Sequence, residues 1–373
     1  MVGLSCCMNC FYERRLRFVI IVVLTLILLQ YGVNLFIFKT RSPFTSLSSH
    51  LNINRFWNQQ TSRGRNDASL RNFNGSIGYS TKMVTQDLTR NRASIHSPAE
   101  NTTGISQCPM LPPNLVGRIR VKLDKPSFLD LENKHQELQP GGHWKPTACI
   151  SRHRVAIIIP FRDRHEHLRM FLSHMHPFLQ KQQLDYQIFV IEEMPGIKFN
   201  RAMLMNIGYV EANKVYDFQC YVFHDVDLLP EDDRNIYSCP EQPRHLSVAI
   251  DKFNYRLPYT DIFGGACTLS KVHFSKINGF SNKYWGWGGE DDDLAYRVKH
   301  AGLKIKRYPV NIARYKMVSH KGGIANPKRW SLLQRAFTRF STDGLSSLKY
   351  KVVATEYKKL YTLIKVEINE KDV

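Results

Sequence analysis

Val155-Ala156-Ile157-Ile158-Ile159-Pro160 is an unbroken aliphatic run in which most residues are β-branched. Such a run, with no polar alternation, is typical of a strand buried on both faces of a parallel sheet. In residues 165–179 the apolar residues recur at helical spacing instead. The two segments together predict a strand followed by a helix that packs against it.

The same alternation continues along the chain. Residues 186–191 and 220–224 have the composition of two more buried strands, and residues 200–211 between them have that of a helix. Strands that alternate with helices predict an α/β fold whose largely parallel sheet carries helices on its faces. Ligands of such sheets bind beyond the carboxyl ends of the strands, so the segments that follow the strands form the candidate site.

Charged residues follow the first and third predicted strands, in Phe161-Arg162-Asp163-Arg164 and Asp225-Val226-Asp227. Because side chains alternate along an extended backbone, the two aspartates of the second motif point to one side. Two carboxylates there suit Mg²⁺ or Mn²⁺ bound to a diphosphate. Spacing alone does not make Met317 or His320 a ligand, since a methionine is usually core and a lone histidine usually structural.

The stretch Tyr284-Trp285-Gly286-Trp287-Gly288-Gly289-Glu290-Asp291-Asp292-Asp293-Leu294 joins aromatic residues and glycines to four adjacent carboxylates. Glycine lets a backbone approach a ligand closely, and tryptophan offers a flat face on which a sugar ring can stack. The four acids repel one another, so a metal, a substrate hydroxyl or a helix N-terminus near Leu294 must compensate them. The alternative is a solvated acidic turn that caps this helix.

The chain has 373 residues and a formal net charge of +20 at pH 7. This balance permits nucleic acid or an acidic membrane as a partner, and it equally suits an anionic nucleotide substrate. The sequence has no zinc-finger spacing, internal repeat or aromatic–basic RNA-binding signature. Nucleic acid is therefore the weaker option.

Residues 18–38 are almost uninterrupted hydrophobic residues, and a bilayer is crossed by roughly 20. The run exceeds the apolar region of a signal peptide and no cleavage site follows, which predicts a signal anchor. Basic residues precede it, so residues 1–17 are expected in the cytoplasm, in the type II orientation. Cys6, Cys7 and Cys10 lie in this tail, either palmitoylated or as free thiols.

Residues 39–107 are polar and have no sustained period, which predicts a flexible lumenal stem. Asn74 and Asn101 begin glycosylation acceptor motifs within it, on the side of the membrane that the predicted topology makes lumenal. The folded domain is expected to span residues 108–373.

Five motifs carry a family resemblance. They occur in the order Phe161-Arg162-Asp163-Arg164, Phe199-Asn200-Arg201-Ala202, Asp225-Val226-Asp227-Leu228, Phe263-Gly264-Gly265 and Trp285-Gly286-Trp287-Gly288-Gly289-Glu290-Asp291-Asp292-Asp293. Together they resemble the β-1,4-galactosyltransferase family, a group of inverting Golgi enzymes with a GT-A fold. The resemblance covers the chain from about Cys108 onward, and the anchor and stem match the family's layout. It implies a Golgi membrane protein with a lumenal catalytic domain.

The resemblance also implies Mn²⁺ and a UDP-sugar donor. Asp227, Met317 and His320 would bind the metal, and a thioether and an imidazole suit Mn²⁺ better than Mg²⁺. Trp287 would lie over the donor sugar, on a mobile loop flanked by glycines. The UDP pocket, where arginine forks suit phosphate, would be lined by Phe161, Arg162, Arg164, Phe199, Arg201, Asp225 and Val226.

For the reaction, the resemblance implies that Asp291 takes the proton of the acceptor hydroxyl, with Glu290 beside it for positioning. Asp293 would instead cap a helix. The implied acceptor is a terminal N-acetylglucosamine (GlcNAc) of glycoproteins or glycolipids. Its binding would involve Tyr259, Gly288, Gly289, Asp292, Arg329, Trp330 and Leu333.

Ile262 departs from the pattern, because the family's galactosyltransferases have tyrosine directly before Phe263-Gly264-Gly265. The resemblance implies that this position faces the C2 substituent of the donor sugar, where a shorter aliphatic chain would leave room for an N-acetyl group. In this respect the chain is similar to the invertebrate branch that transfers N-acetylgalactosamine (GalNAc), so UDP-GalNAc is the expected donor. The alternative is a galactosyltransferase that uses UDP-Gal, with its donor choice loosened.

The cysteines of the folded part are also covered by the resemblance, which implies the disulfides Cys108–Cys149 and Cys220–Cys239 in an oxidising lumen. Cys267 would remain a small buried residue.

Two hypotheses from other classes compete with a transferase. One is a catalytically silent GlcNAc-binding relative, although Asp227, His320 and Asp291 are all present. The other is a two-metal phosphotransferase built on the acidic clusters, which would leave the tryptophans without a role. An accessory protein for Golgi exit or activity is neither required nor excluded by the sequence.

Overall fold

The computed structural model describes Thr25, residues 105–196 and residues 198–372. Contacts divide the chain into two units, Met1–His96 and Ser97–Val373. The expected membrane anchor (apart from Thr25), the cytoplasmic cysteines and the acceptors Asn74 and Asn101 lie outside the described residues. Within the described residues, no helix has the length and hydropathy needed to span a bilayer.

The described strands and helices have the following bounds. The strands are β1 (Arg154–Phe161), β2 (Asp185–Glu193), β3 (Cys220–His224), β4 (Leu228–Pro230), β5 (Arg244–His245), β6 (Ala249–Ile250), β7 (Ala266–Ser270), β8 (Lys306–Arg307), β9 (Arg314–Met317), β10 (Lys351–Tyr357) and β11 (Thr362–Glu367). The α-helices are α1 (Phe128–Lys134), α2 (His165–Lys181), α3 (Arg201–Val215), α4 (Lys271–Lys276), α5 (Glu290–His300), α6 (Arg329–Gln334) and α7 (Ala336–Arg339). Short 3-10 turns lie at Pro140–Gly142, Asp251–Phe253, Leu345–Ser347 and Glu370–Asp372. The three strands and two helices predicted between residues 155 and 224 are all confirmed.

The main sheet has eight strands in the order β10-β11-β2-β1-β3-β7-β5-β8. Its centre is parallel, since β2 and β3 flank β1 in that sense and β11 pairs with β2 in the same way. However, β7 runs antiparallel to β3 and β5, and β10 is antiparallel to β11. The expectation of a largely parallel sheet is therefore confirmed only at the centre, and the sheet as a whole is mixed. The short β10–β11 connection explains one antiparallel pair, because antiparallel neighbours need no helical crossover.

Strand β1 lies at the centre of the core, as the burial of every residue after Arg154 shows. Its Ile157 and Ile159 side chains join one apolar cluster, to which α2 contributes Phe171. Ile158 belongs to the second apolar cluster, to which α3 contributes Leu204 and Ile207 among others. Burial of each such side chain contributes about 1.5–3 kcal/mol, so the sandwiched sheet fixes the position of the loops at its edge.

A second sheet of three strands, in the order β4-β9-β6, lies in the same unit. Strand β4 pairs antiparallel with β9, in a register that places Leu228 opposite Met317. The Val318 amide donates to the Asp227 carbonyl at 2.8 Å. This pairing brings together two parts of the sequence that carry candidate metal ligands.

Both disulfides implied by the resemblance are present, Cys108–Cys149 and Cys220–Cys239. Cys267 is a buried free thiol of β7, as expected.

Candidate active site

A cavity of about 1050 Å³ opens where β1, β3 and β6 end. The site therefore lies at the carboxyl ends of strands, as predicted. Twelve of the site residues expected from the sequence line this cavity: Arg162, Arg164, Phe199, Arg201, Asp225, Val226, Asp227, Trp287, Glu290, Asp291, Met317 and His320.

At one part of this cavity the Asp227 and His320 side chains meet, with 2.9 Å between Oδ2 and Nε2. Met317 lines the same cavity from β9, where strand pairing sets it opposite Leu228. The Nδ1 atom of His320 is 2.6 Å from the Lys321 carbonyl oxygen. Arg164 NH2 lies 3.0 Å from the same Nδ1 atom. The tautomer that carries its proton on Nδ1 would leave the lone pair of Nε2 for a metal ion between His320 and Asp227.

These three side chains fit a manganese ion. Two ligand atoms bound to one ion at about 2.1 Å and at right angles lie about 3 Å apart, close to the observed separation between Asp227 and His320. A carboxylate oxygen, an imidazole nitrogen and a thioether form a mixed donor set that suits Mn²⁺ better than Mg²⁺. No group of three or more His, Cys, Asp or Glu side chains that could hold a metal occurs among the described residues. The candidate set falls outside that definition, since its third donor is a methionine.

Arg201 neutralises the carboxylates at the centre of the cavity. Its Nε donates to Asp225 at 2.6 Å, and its NH1 lies 3.6 Å from Oε1 of Glu290. Burial and then the charge of Asp291 raise the pKa of Glu290 to about 7. The other oxygen of Glu290, Oε2, is buried and has no hydrogen-bond partner among the described residues, so it is available to a ligand.

Asp291 lies directly against the backbone of Gly264. A Cβ atom on Gly264 would overlap Oδ2 of Asp291, which only glycine avoids. Burial and then the charge of Asp292 raise the pKa of Asp291. A carboxylate with a raised pKa is a stronger base once ionised, as a general base requires.

The four acids at 290–293 form the first turn of α5, which begins at Glu290 and not near Leu294. The helix N-terminus therefore compensates their charge directly. The expected capping role of Asp293 was wrong, because Gly289 occupies the N-cap position. Asp293 is instead fully buried and accepts from Arg297 at 2.6 Å and from the Tyr284 hydroxyl at 2.9 Å. Buried charges need such partners, so its role is to fix α5.

Most of the expected acceptor residues lie at the rim of the cavity. The Arg329 guanidinium is 5.8 Å from the Trp287 ring and 5.3 Å from the Trp330 ring, and both tryptophans are exposed. A Cβ on Gly288 would meet Arg329, and one on Gly289 would meet Tyr284. The Tyr259 hydroxyl donates to Asp292 at 2.7 Å.

The expected site residues that do not line the cavity include Phe161, Leu333 and Ile262. Phe161 is buried against His165, and Leu333 is also buried. Ile262 is half-buried, and its carbonyl accepts from Arg307 at 2.7 Å. Its near neighbour Gly265 does line the cavity.

Four charged residues of the wall were missed in the sequence: Lys198, Asp251, Lys252 and Lys316. A signal for two of them exists, since Asp251 and Lys252 follow the apolar run Val248-Ala249-Ile250 as Asp225 follows β3. Asp251 accepts from Lys316 at 2.6 Å and from the Met317 amide at 2.8 Å. It therefore supports the strand that carries Met317.

Comparison with known proteins identifies the family. The model for the N-terminal region of glycosyl transferase group 7 matches residues 108–240, and that for the N-terminal domain of galactosyltransferase matches residues 244–321. β-1,4-Galactosyltransferase 1 of Mus musculus is 48% identical over 278 residues, which are 73% of this chain and 70% of the relative. The chain belongs to the β-1,4-galactosyltransferase family. Another relative, β-1,4-galactosyltransferase 3 of Homo sapiens, is 47% identical over 270 residues, covering 71% of this chain and 69% of its own.

Solved structures of the β-1,4-galactosyltransferase family share the fold. The catalytic domain of Drosophila β-1,4-galactosyltransferase 7 with xylobiose is 31% identical, with a TM-score of 0.51 over 58% of this chain and 94% of that one. A mutant of the Drosophila enzyme in complex with manganese, UDP-Gal and xylobiose matches with 30% identity, the same TM-score and the same coverage. The mixed α/β domain is thus of the GT-A-like type.

Proposed function

We propose that this chain transfers a hexosyl group from a UDP-sugar to the 4-hydroxyl of a terminal GlcNAc, with inversion at the anomeric carbon. The observation that carries the proposal is that one cavity holds both the Asp227, Met317 and His320 donors and the Asp291 carboxylate. The complex of the related Drosophila enzyme with manganese and UDP-Gal supports it.

Asp291 acts as the general base in this proposal. The acceptor oxygen forms a bond to the anomeric carbon while the bond from that carbon to the β-phosphate oxygen of UDP breaks. The hydroxyl proton passes to the Asp291 carboxylate. Gly264 lets this carboxylate lie close to the backbone. The unpartnered oxygen of Glu290 is free to accept a hydrogen bond from a hydroxyl of the donor sugar.

Cationic groups hold the nucleotide. The Arg162 guanidinium lies 5.1 Å from the Phe199 ring, so these two side chains form a wall against which a uracil base packs. Arg164, Arg201 and Lys252 supply positive charge for the diphosphate. Mn²⁺ bound by Asp227, Met317 and His320 would supply Lewis-acid neutralisation of the departing UDP.

The acceptor binds at the rim. The exposed faces of Trp287 and Trp330 are available to sugar rings, and Arg329 lies between them. Tyr259 and Asp292 form a hydrogen-bonded pair next to the base. The hydrogen bond between them can be replaced by hydrogen bonds to a GlcNAc hydroxyl. This placement brings the acceptor hydroxyl to the side of Asp291.

Galactose is the donor sugar that the names of the relatives favour, since both are galactosyltransferases. GalNAc is the second candidate, and Ile262 is the observation that favours it. A tyrosine at this position would crowd the C2 substituent, whereas the aliphatic side chain leaves space for an N-acetyl group. Ile262 directly precedes the Phe263-Gly264-Gly265 turn that supports Asp291, so it can act on the donor from behind the cavity wall.

The test is a transfer assay with the full chain, Mn²⁺ and a GlcNAc-terminated acceptor, with UDP-Gal and UDP-GalNAc in parallel. Wild type, Ile262→Tyr and the aliphatic control Ile262→Val are compared. A GalNAc preference that reverses in Ile262→Tyr alone, by roughly tenfold or more, supports the second candidate. A galactose preference that Ile262→Tyr leaves unchanged supports the first. If neither donor is used by the wild type, the proposed function fails and a silent GlcNAc-binding protein is favoured.

We further infer that the catalytic domain lies in the Golgi lumen as part of a type II membrane protein. Support comes from the apolar residues 18–38 and from the two disulfides, which persist in oxidising compartments. Protection of the domain from protease added outside intact vesicles tests this. Loss of N-glycans in Asn74→Gln and Asn101→Gln tests the orientation independently.

A further inference from the structure

A chain of buried polar side chains runs beneath the candidate metal site. His224 Nδ1 lies 2.8 Å from the Asp225 carbonyl oxygen, and Nε2 of the same ring lies 2.8 Å from the Tyr237 hydroxyl. The Tyr237 hydroxyl is 2.6 Å from that of Tyr315, which accepts from Asn235 Nδ2 at 3.3 Å. His224, Tyr237, Tyr315 and Asn235 are all fully buried, so no water competes for these bonds.

The direction of every bond in this chain is fixed by chemistry. A carbonyl oxygen only accepts, so His224 must donate to Asp225 from Nδ1. In a neutral imidazole Nε2 must then accept, which makes Tyr237 the donor to it. Tyr237 has one hydroxyl proton, so Tyr315 must donate to its oxygen. The bonds therefore form a single ordered path from Asn235 to the Asp225 carbonyl.

The two ends of this path reach the two elements that carry candidate metal ligands. The Asp225 carbonyl also accepts from the Leu228 amide at 3.3 Å and so closes the turn that presents Asp227. At the other end, Tyr315 lies in β9 opposite Pro230, two residues before Met317. Residues two apart in a strand share a face. Hydrogen bonds to Tyr315 therefore act on the part of β9 that also carries Met317.

We propose that Tyr237 and Tyr315 are positioning residues for the metal site, which hold the Asp225–Asp227 turn and β9 in the relation that lets Asp227 and Met317 bind one ion. The inference rests on the proposed function, since it assumes that these side chains bind Mn²⁺. Neither tyrosine lines the cavity, so their effect reaches the ion only through the turn and the strand.

The tyrosine path adds to the backbone hydrogen bonds that already join the turn to β9. The Val318 amide donates to the Asp227 carbonyl, which joins the turn to β9 at the cavity side. The tyrosine path joins the same two elements at a second point, through buried side chains. A second attachment limits rotation of the turn about the first, and it thereby restricts the distance between Asp227 and Met317. Hydrogen bonds that support metal ligands in this way typically change metal affinity by about 10–100-fold.

The experiment measures Mn²⁺ binding by the full chain in the presence of UDP, from the electron paramagnetic resonance signal of free Mn²⁺. The variants are Tyr237→Phe, Tyr315→Phe and the double variant. Tyr221→Phe is the matched control, because Tyr221 is equally buried and its hydroxyl donates to the Phe218 carbonyl, away from the path. Asp227→Asn serves as the ligand control, and thermal unfolding of each variant sets a temperature at which all are folded.

We expect each single variant to weaken Mn²⁺ binding by about 10-fold and Tyr221→Phe to leave it within about twofold. The double variant should bind as the weaker single variant does, because both changes break one path. Transfer activity lost at low Mn²⁺ should return at saturating Mn²⁺, which a general loss of structure would not allow. If Tyr237→Phe fails to fold, Tyr315→Phe decides alone.

The inference is overturned if the wild type binds Mn²⁺ and the tyrosine variants match Tyr221→Phe. It is also overturned if the two single effects add in the double variant. A different result sinks the proposed function itself: Mn²⁺ binding that Asp227→Asn does not weaken. The two failures are therefore distinguishable in the same set of titrations.

Discussion

Nε2 of His320 lies 2.9 Å from Oδ2 of Asp227, although the two residues come from distant parts of the chain. The β4–β9 pairing brings these two parts of the chain together, and Met317 is the last residue of β9. A buried carboxylate beside an imidazole, at the separation of two ligands of one ion, is the central feature of this site. The cavity that contains it also contains Asp291.

Removing either side chain should abolish high-affinity metal binding. In Asp227→Asn and His320→Ala the Mn²⁺ dissociation constant should rise by more than about 100-fold, because each variant loses a direct ligand. Titration of Mn²⁺ in the presence of UDP measures this. Asp217→Asn is the control, since this aspartate pairs with Arg154 and Lys271 on the surface. Chelation of the wild type should likewise stop transfer, and Mn²⁺ should restore it. Unchanged binding in both variants would place the ion elsewhere.

The rate of transfer should rise with pH, because a general base must be ionised. Burial and the charge of Asp292 hold the pKa of Asp291 above its usual range. As the pH falls, Asp291 is therefore protonated at a higher pH than an ordinary aspartate. Asp292→Asn removes the second cause and should shift the acid limb of kcat/KM to lower pH, whatever its effect on acceptor binding. The pH profile of kcat/KM for both proteins measures the shift. An acid limb that stays in place, or moves to higher pH, would separate Asp291 from the observed titration.

Gly264→Ala should strongly reduce the rate of transfer with little effect on the fold. The added methyl group would overlap Oδ2 of Asp291 and must displace it. A displacement of about 1 Å at a reacting group costs about 100-fold in rate. Kinetic constants of the variant and of Gly196→Ala test this, because the methyl group of the control meets nothing closer than 3.8 Å. Equal rates in the two variants would show that the base is not at Asp291.

Glu193→Gln should stabilise the protein at alkaline pH. Burial raises the pKa of Glu193 to about 7 from an ordinary value of 4.5. A raised pKa means that the carboxyl group favours folding below pH 4.5 and that this contribution is lost as pH rises through 7. The amide is neutral throughout and can still accept from the Asn200 amide, as the carboxylate does. We expect the free energy of unfolding at pH 8 to increase by about 1–3 kcal/mol, with a smaller change at pH 5. Melting curves at both pH values measure it, with Glu367→Gln as the surface control, and a variant that is less stable at pH 8 contradicts it.

The central strands and helices could be predicted from local sequence because their signals are local. The run at residues 155–160 is too apolar to lie anywhere but in the core, and β1 is buried along its length after Arg154. The shortest strands were not predictable in the same way. Strands β5, β6 and β8 have two residues each, which is too short to show any period.

The site was predictable to different degrees for physical reasons. Asp225 and Asp227 end a strong strand, so their position follows from topology. Met317 and His320 were proposed as ligands only through the family resemblance, since the long-range pairing of β9 is what brings them near Asp227. Asp293 was misassigned because its partners, Arg297 and Tyr284, become neighbours only when α5 begins at Glu290.

The most direct test of the proposed reaction is the structure of its product. The full chain, Mn²⁺, the preferred UDP-sugar and a GlcNAc acceptor are incubated, and the new linkage is determined by nuclear magnetic resonance for wild type and Asp291→Asn. We predict a β-1,4 linkage from the wild type, and a rate at least about 100-fold lower in Asp291→Asn with UDP binding retained. An α-linked product, or full activity in Asp291→Asn, would contradict the proposed reaction.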